Sequence, residues 1–264
     1  MMNSLPGQII GQNIIYLNSV TSTNDHLKSI AAGKINEGTV VVAEIQTHGR
    51  GRNDKKWTSP PGKGLTFSVL LKPKINIDQM LIFSYFPVIV VTKFLNNYFN
   101  ISASIKWPND VYVDRKKIAG ILSESTSYKN SLKYFITGIG INLNQNINDF
   151  SDGLQDCATS LSILLKKSVD KELFLFNFLK EFDCEYKRII NSSGWENNLV
   201  TEWNQLCHHM NLRVQLMDNK KNKEYGIFKG IAQSGEALIE TDGNIIKTVN
   251  IDHFSLRDNY VINN

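Results

Sequence analysis

Two arginines stand between glycines in the segment Gln46-Thr47-His48-Gly49-Arg50-Gly51-Arg52-Asn53-Asp54-Lys55-Lys56-Trp57. Guanidinium forks donate in pairs to phosphate or carboxylate, and glycines let a backbone come close to a ligand. The chemistry open to this spacing is capture of an anion under a loop that orders around it. A solvated turn or an RNA-binding tail uses the same residues. Trp57 could stack on a nucleobase or anchor the end of the loop to the core.

Lys106-Trp107-Pro108-Asn109-Asp110 and Lys116-Lys117-Ile118-Ala119-Gly120-Ile121-Leu122 form a second group. Polar side chains sit at the mouth of an apolar strand, and a lysine beside an Ala-Gly pair can reach a ligand lying against the backbone. Lys116 reads as a charged hairpin tip. Asp110 could bind Mg²⁺, accept a proton or cap the hairpin. A third group, Gly138-Ile139-Gly140-Ile141-Asn142, is a strand with two positions lacking a side chain. That suits a planar ring passing over it, or a β-bulge. It is not a dinucleotide fingerprint, which needs a third glycine and a following helix.

Elements of recognisable type must position these groups. Thr21 to Asp25 offers N-cap side chains to a short helix over 26–32, with Gly33 as terminator. Residues 39–45 read as a buried strand, 46–64 as a long loop and 65–71 as an alternating strand ending at Lys72-Pro73. Residues 78–99 predict a helix that Pro87 kinks or divides. Val111 to Val113 and Ile118 to Leu122 flank a turn at 114–117, giving a hairpin, and 135–142 is a further strand. Residues 160–165 predict a short helix, and 171–190 a long one with Leu175, Phe178, Phe182, Tyr186 and Ile189 on one stripe. After Cys207 the texture becomes short strands separated by turns at Asp218-Asn219, Ser234-Gly235 and Asp242-Gly243-Asn244, the pattern of a small β-barrel. The fold expected is α+β, a mixed or antiparallel sheet with flanking helices over 1–208, followed by a small all-β domain over 209–264.

Bulk properties bound the function. The 264 residues are 42% hydrophobic and 20% charged, enough for a sizeable core. A net charge of +4 falls far short of the basic footprint of a dedicated nucleic-acid binder. The three cysteines, Cys157, Cys184 and Cys207, include no CxxC pair, which argues against a disulfide framework or structural zinc and suits a reducing cytoplasm. No signal peptide is apparent at the start of the chain, and the apolar run Leu81 to Val91 is too short to span a bilayer. A cytoplasmic protein is expected.

Taken together and in order, Ser22-Thr23-Asn24, the 46–57 loop, Lys-Trp-Pro-Asn-Asp, Lys-Ile-Ala-Gly-Ile-Leu, Gly-Ile-Gly-Ile-Asn and Ala158-Thr159-Ser160-Leu161 resemble the biotin–protein ligase family. The resemblance runs from about Ser19 to Leu161. It implies a class II synthetase-like catalytic domain, and the β-rich C-terminus fits the SH3-like barrel those ligases carry. The implied activity is ATP-dependent conversion of biotin to biotinyl-5'-AMP, then transfer of biotin to a lysine of a biotin carboxyl carrier protein.

By the same resemblance Ser22, Thr23 and Asn24 contact the ureido ring of biotin. Gln46, Gly49, Arg50, Gly51 and Arg52 contact biotin and phosphate, and Lys117 contacts the biotin carboxylate and the α-phosphate. Gly120, Gly138 and Gly140 give close backbone approaches around the bicycle, while Trp57, Asn109 and Asn142 handle ATP. Lys117, Arg50, Arg52 and Asp110 carry the catalysis, with Asp110 orienting or deprotonating the acceptor amine. Mg²⁺ comes with the ATP phosphates and no protein cage is expected for it. The implied partners are biotin, ATP and a biotin carboxyl carrier protein of acetyl-CoA carboxylase or a related carboxylase. A homodimer is left open, and neither DNA nor a membrane is expected.

Two departures stand out. The family loop commonly continues with another glycine and a basic residue, whereas Asn53-Asp54-Lys55-Lys56 precedes Trp57 here. Asp54 adds a negative charge beside the arginines, and Lys55 and Lys56 can offset it. There is also no room before Ser19 for the helix-turn-helix domain of bifunctional members, so a ligase without that DNA-binding arm is expected. The competing readings are a lipoate or octanoate ligase of the same superfamily, which should lack Ser-Thr-Asn paired with GRGR, and a nucleic-acid-binding protein.

Overall fold

The computed structural model describes residues 5, 7–33, 35–53, 55–129, 131–218, 220, 222–243, 245–251 and 253–257. Asp54, Asn219 and Asn244, singled out above, lie outside the described residues. A mixed seven-stranded sheet has the order β1-β2-β3-β7-β6-β5-β4. Its strands are β1 Ile14–Val20, β2 Val40–Gln46, β3 Gly64–Leu71, β4 Ala103–Lys106, β5 Asp110–Val113, β6 Lys116–Tyr128 and β7 Ser131–Asn142. β1 and β2 are parallel and the remaining neighbours antiparallel.

The sequence reading found β2 and β3, but saw only the inner parts of β6 and β7 and missed β1 and β4. Hydrophobic texture marks burial, and the outer half of the β6–β7 hairpin is largely exposed and polar. β3 was read as alternating, yet it is buried along nearly its whole length because both faces are covered. Helix α1 (Thr23–Ala31) packs on one face, closing a small cluster of Leu27, Ala31, Val41, Leu70 and Ile136. On the other face lie α3 (Phe86–Phe99) and α5 (Lys171–Asn191), with α6 (Trp195–Leu206) packed against α3. α6 had no counterpart in the sequence reading.

Pro87 divides the 78–99 helix as expected. α2 (Met80–Phe83) ends at Ser84, and α3 begins with the proline in its first turn, where the missing N–H costs nothing. Short α4 (Leu161–Leu165) is capped by the Ser160 hydroxyl, which accepts from Ile163 N. The stretch 77–99 is apolar enough to cross a membrane by composition, but most of it is buried within this core. Buried aromatics fill the space between sheet and helices, Phe86 meeting Phe182 at 5.0 Å and Phe83 meeting Phe135 at 5.1 Å between ring centroids.

A second, antiparallel sheet follows: β8 Arg213–Asp218, β9 Lys223–Ile231, β10 Ala237–Thr241, β11 Ile245–Val249 and β12 Phe254–Arg257, in the order β11-β10-β9-β8-β12. This is the expected all-β segment, with the unread β12 added at one edge. Its Val214, Leu216 and Phe228 belong to the same apolar cluster as the main core, Phe228 lying near Trp107 and Trp203. His209 is wedged there edge-on to Phe228 at 4.4 Å, with both ring nitrogens buried and without a hydrogen-bond partner among the described residues.

Candidate active site

A cavity of about 470 Å³ opens where the start of α1, the loop after β2 and the central strands β5, β6 and β7 converge. Of the residues expected to bind biotin or ATP or to carry catalysis, all but Gly49 line it. Gly49 serves the loop itself: a Cβ there would lie 2.3 Å from the Trp57 carbonyl oxygen, and Trp57 N donates to Gly49 O at 2.9 Å.

One wall is polar and buried. Thr23 N and the Thr23 hydroxyl both donate to Gln46 Oε1, at 2.8 and 3.1 Å. Ser68, fully buried on β3, places its hydroxyl 2.7 Å from Thr23 Oγ1 and 2.6 Å from Asn24 Oδ1. Asn24 Nδ2 donates to Leu122 O at 3.0 Å and to Glu124 Oε2 at 2.7 Å. These bonds orient the Thr23 hydroxyl and the Asn24 amide. They also explain Gly138, where a Cβ would come within 2.3 Å of Asn24 Oδ1. The space beside Gly138, which the sequence reading assigned to a planar ring or a β-bulge, holds the Asn24 side chain.

The arginine loop folds back on itself, with Arg50 bridged to Lys56 and Gly51 N donating to Lys55 O at 2.6 Å. Arg50 Nη2 lies 2.6 Å from Asp25 Oδ1 and 2.8 Å from Glu124 Oε2. Burial alone would lower the Arg50 pKa, but Glu124 and Asp25 outweigh it and hold the guanidinium charged above its ordinary range. Arg52 donates to the carbonyl of Ile251, in the connection between β11 and β12, and Ser255 and Leu256 of β12 line the cavity.

The opposite wall is the strand glycines and a lysine. The Trp57 indole lies directly on Gly140, where a Cβ would be 2.3 Å from Cε2, and against Gly120, where it would be 3.1 Å from Cζ3. Its Nε1 is buried without a hydrogen-bond partner among the described residues. Lys117 Nζ sits 5.6 Å from the indole centroid and pairs with Asp110 Oδ1 at 2.6 Å. Asp110 is the one carboxylate lining the cavity among the described residues. Asn109 and Asn142 are engaged with the protein, Asn109 Nδ2 donating to Ile121 O and Asn142 Nδ2 to Thr159 O at 3.0 Å.

Sequence reasoning missed Ser68, Glu124 and the role of the C-terminal sheet, and gave Lys106 no task although it is buried in the cavity wall. Ser68 was visible as a lone hydroxyl in an apolar strand. Glu124 carried no local signal. The assembled arrangement offers a hydrogen-bonding wall, a flat aromatic-on-glycine surface and converging cations, which suits a polar ring joined to an anion.

The signature of the Biotin/lipoate A/B protein ligase family matches residues 16–142. The bifunctional ligase/repressor BirA of Bacillus subtilis is 33% identical over 248 residues, covering 94% of this chain and 75% of its own length. The biotin--[acetyl-CoA-carboxylase] ligase of Mycobacterium tuberculosis is 25% identical, covering 92% of this chain and 91% of its own. Among solved structures, biotin protein ligase from Aquifex aeolicus in complex with biotin and ATP superposes with a TM-score of 0.76 at 33% identity, covering 93% of this chain and 99% of that one. The chain belongs to the biotin–protein ligase family.

Proposed function

We propose that this chain activates biotin with ATP as biotinyl-5'-AMP and transfers the biotin to a lysine of a biotin carboxyl carrier protein. The observation that carries the reading is the convergence of Ser22-Thr23-Asn24, the arginine loop, Lys117 and the glycine strand on one cavity in a chain of this family. In the first half-reaction a biotin carboxylate oxygen bonds to the α-phosphorus and the bond to pyrophosphate breaks. Negative charge grows on the phosphoryl oxygens, so the protein's work is positioning and cationic stabilisation. Lys117, Arg50 and Arg52 are assigned that work.

Asp110 presents a carboxylate to the cavity beside Lys117, so a Mg²⁺ ion arriving with ATP would be held mainly by phosphate oxygens with Asp110 as the nearby protein oxygen donor. When bound, the ion would neutralise phosphate charge. The loop, gripped through Arg50 and Arg52, shields the mixed anhydride from water. In the second half-reaction the lysine nitrogen bonds to the acyl carbon, AMP leaves, and Asp110 orients the amine and accepts its proton. The three free cysteines support a reducing compartment, the cytoplasm.

Calorimetry with biotin, lipoate and an RNA oligomer tests the reading. Biotin alone should bind; binding of lipoate or RNA in its place would overturn it.

A further inference from the structure

Glu124 on β6 joins two parts of the site that the chain supplies from different elements. Its Oε2 accepts from Asn24 Nδ2 of α1 at 2.7 Å and from Arg50 Nη2 of the loop at 2.8 Å, and its Oε1 lies 3.1 Å from the same Arg50 nitrogen. Asp25 holds Arg50 from the other side at 2.6 Å and makes no bond to Asn24 among the described residues. The two carboxylates therefore differ. Asp25 secures the loop only, whereas Glu124 secures the loop and the Asn24 amide together.

An ionised carboxylate is acceptor-only, and both donors converge on it. A glutamine in its place has one oxygen and one NH₂ group. With its oxygen at the Oε2 position a glutamine keeps Asn24 on that acceptor, but its NH₂ then faces Arg50 Nη2 where Oε1 stood 3.1 Å away, and the ion pair is lost. With the amide reversed, the NH₂ opposes both donors. Asn24 has no alternative arrangement to fall back on. Its second amide hydrogen is on Leu122 O, and its oxygen meets Ser68.

We infer that Glu124 is a positioning residue that couples the seating of biotin on the Asn24 wall to closure of the arginine loop over the adenylate. The inference rests on the biotin-ligase reading of the cavity. A ligand that fixes Asn24 fixes the Glu124 carboxylate, which fixes Arg50. In the reverse direction, a loosened Arg50 frees the carboxylate and weakens the wall.

The test compares wild type, Glu124→Gln and Asp25→Asn in the full chain. Three quantities are read: the biotin Kd, the lifetime of enzyme-bound biotinyl-adenylate, and the rate of trypsin cleavage within the 50–56 loop with and without biotin. Hydrogen bonds to a charged group justify an expected rise in biotin Kd of about ten-fold or more for Glu124→Gln. That variant should also lose the adenylate early, and biotin should no longer protect its loop. Asp25→Asn should shorten the adenylate lifetime while keeping the biotin Kd within about two-fold. Glu124→Asp, which keeps the acceptor-only charge, should recover most of the biotin affinity, and Glu124→Ala, which removes both contacts, replaces the glutamine variant in the comparison if that variant does not fold.

Glu124→Gln with wild-type biotin affinity, or with retained biotin protection of the loop, would overturn the coupling. A wild-type protein that binds no biotin would sink the ligase reading together with this inference, which separates the two failures.

Discussion

Gly140→Ala tests whether the aromatic wall of the cavity is built as described. The new Cβ would meet Trp57 at 2.3 Å from Cε2, 2.6 Å from Cζ2 and 2.7 Å from Nε1. These are three atoms of one rigid ring, so no rotation of a flexible tip relieves the contact. Ordinary carbon contacts begin near 3.5 Å, and the indole must therefore retreat by about 1 Å. Overpacking of this kind costs about 1–3 kcal/mol. Against it stands a gain of about 0.5–1 kcal/mol from removing a glycine from a strand interior. The clash prevails, and a net loss of about 1–2 kcal/mol is expected in urea unfolding. Displacing the indole also moves the surface beside Lys117, and a shift of about 1 Å justifies a fall of up to about 100-fold in biotin-dependent pyrophosphate release. The decisive comparison is made in a Trp57→Ala background. With the indole gone, the strand gain stands alone, so Gly140→Ala should become neutral or slightly stabilising. An equal cost with and without Trp57 would show that the indole does not lie on this strand, and the reasoning would fail.

Three further outcomes follow from the same geometry. Ser68→Ala removes the hydroxyl between Thr23 and Asn24 and should raise the biotin Kd by about five- to ten-fold with little change in the KM for ATP; equal changes in both would contradict its place in the wall. Lys117→Ala removes the cation beside the indole and leaves Asp110 without that partner, so pyrophosphate release should fall by at least about 100-fold, and normal release would remove Lys117 from the chemistry. Burial, with His208 and Lys106 adding to it, pushes His209 down to about 3. The unfolded chain takes up this proton near pH 6.5 and the folded protein does not. The contribution to stability is thus complete above pH 6.5 and is lost as pH falls toward 3. Wild type should lose about 2 kcal/mol relative to His209→Phe between pH 7 and pH 5 in urea unfolding, at about 1.4 kcal/mol per unit. Parallel pH profiles would exclude the histidine as the cause.

The sequence was most informative where one residue type answers one local need. Pro87 at a helix break and the GRGR loop declare themselves within a few positions. The start of α1 reads too late, at residue 26, because Thr23 and Asn24 look like caps; they lie inside the helix, whose Ser22 cap position makes no side-chain capping bond. β1 and α6 did not declare themselves, because Ile14–Val20 mixes polar and apolar residues at a sheet edge and Trp195–Leu206 shows its apolar side only once α3 is in place. In the site, contacts between distant positions were the hidden part. Glu124 and Arg50 are 74 residues apart, and Arg52 and Ile251 are 199 apart. The glycines at 138 and 140 were read as close approaches to a ligand, and the chain's own Asn24 and Trp57 lie against them. Side chains meeting across a fold leave no spacing to read.

The most direct measurement is the mass of a biotin carboxyl carrier domain after incubation with this protein, biotin and MgATP. One added biotin on a single lysine is the result expected, with loss of the product when either biotin or ATP is omitted. A carrier domain of unchanged mass, or one that gains a lipoyl group in preference to biotin, would contradict the account.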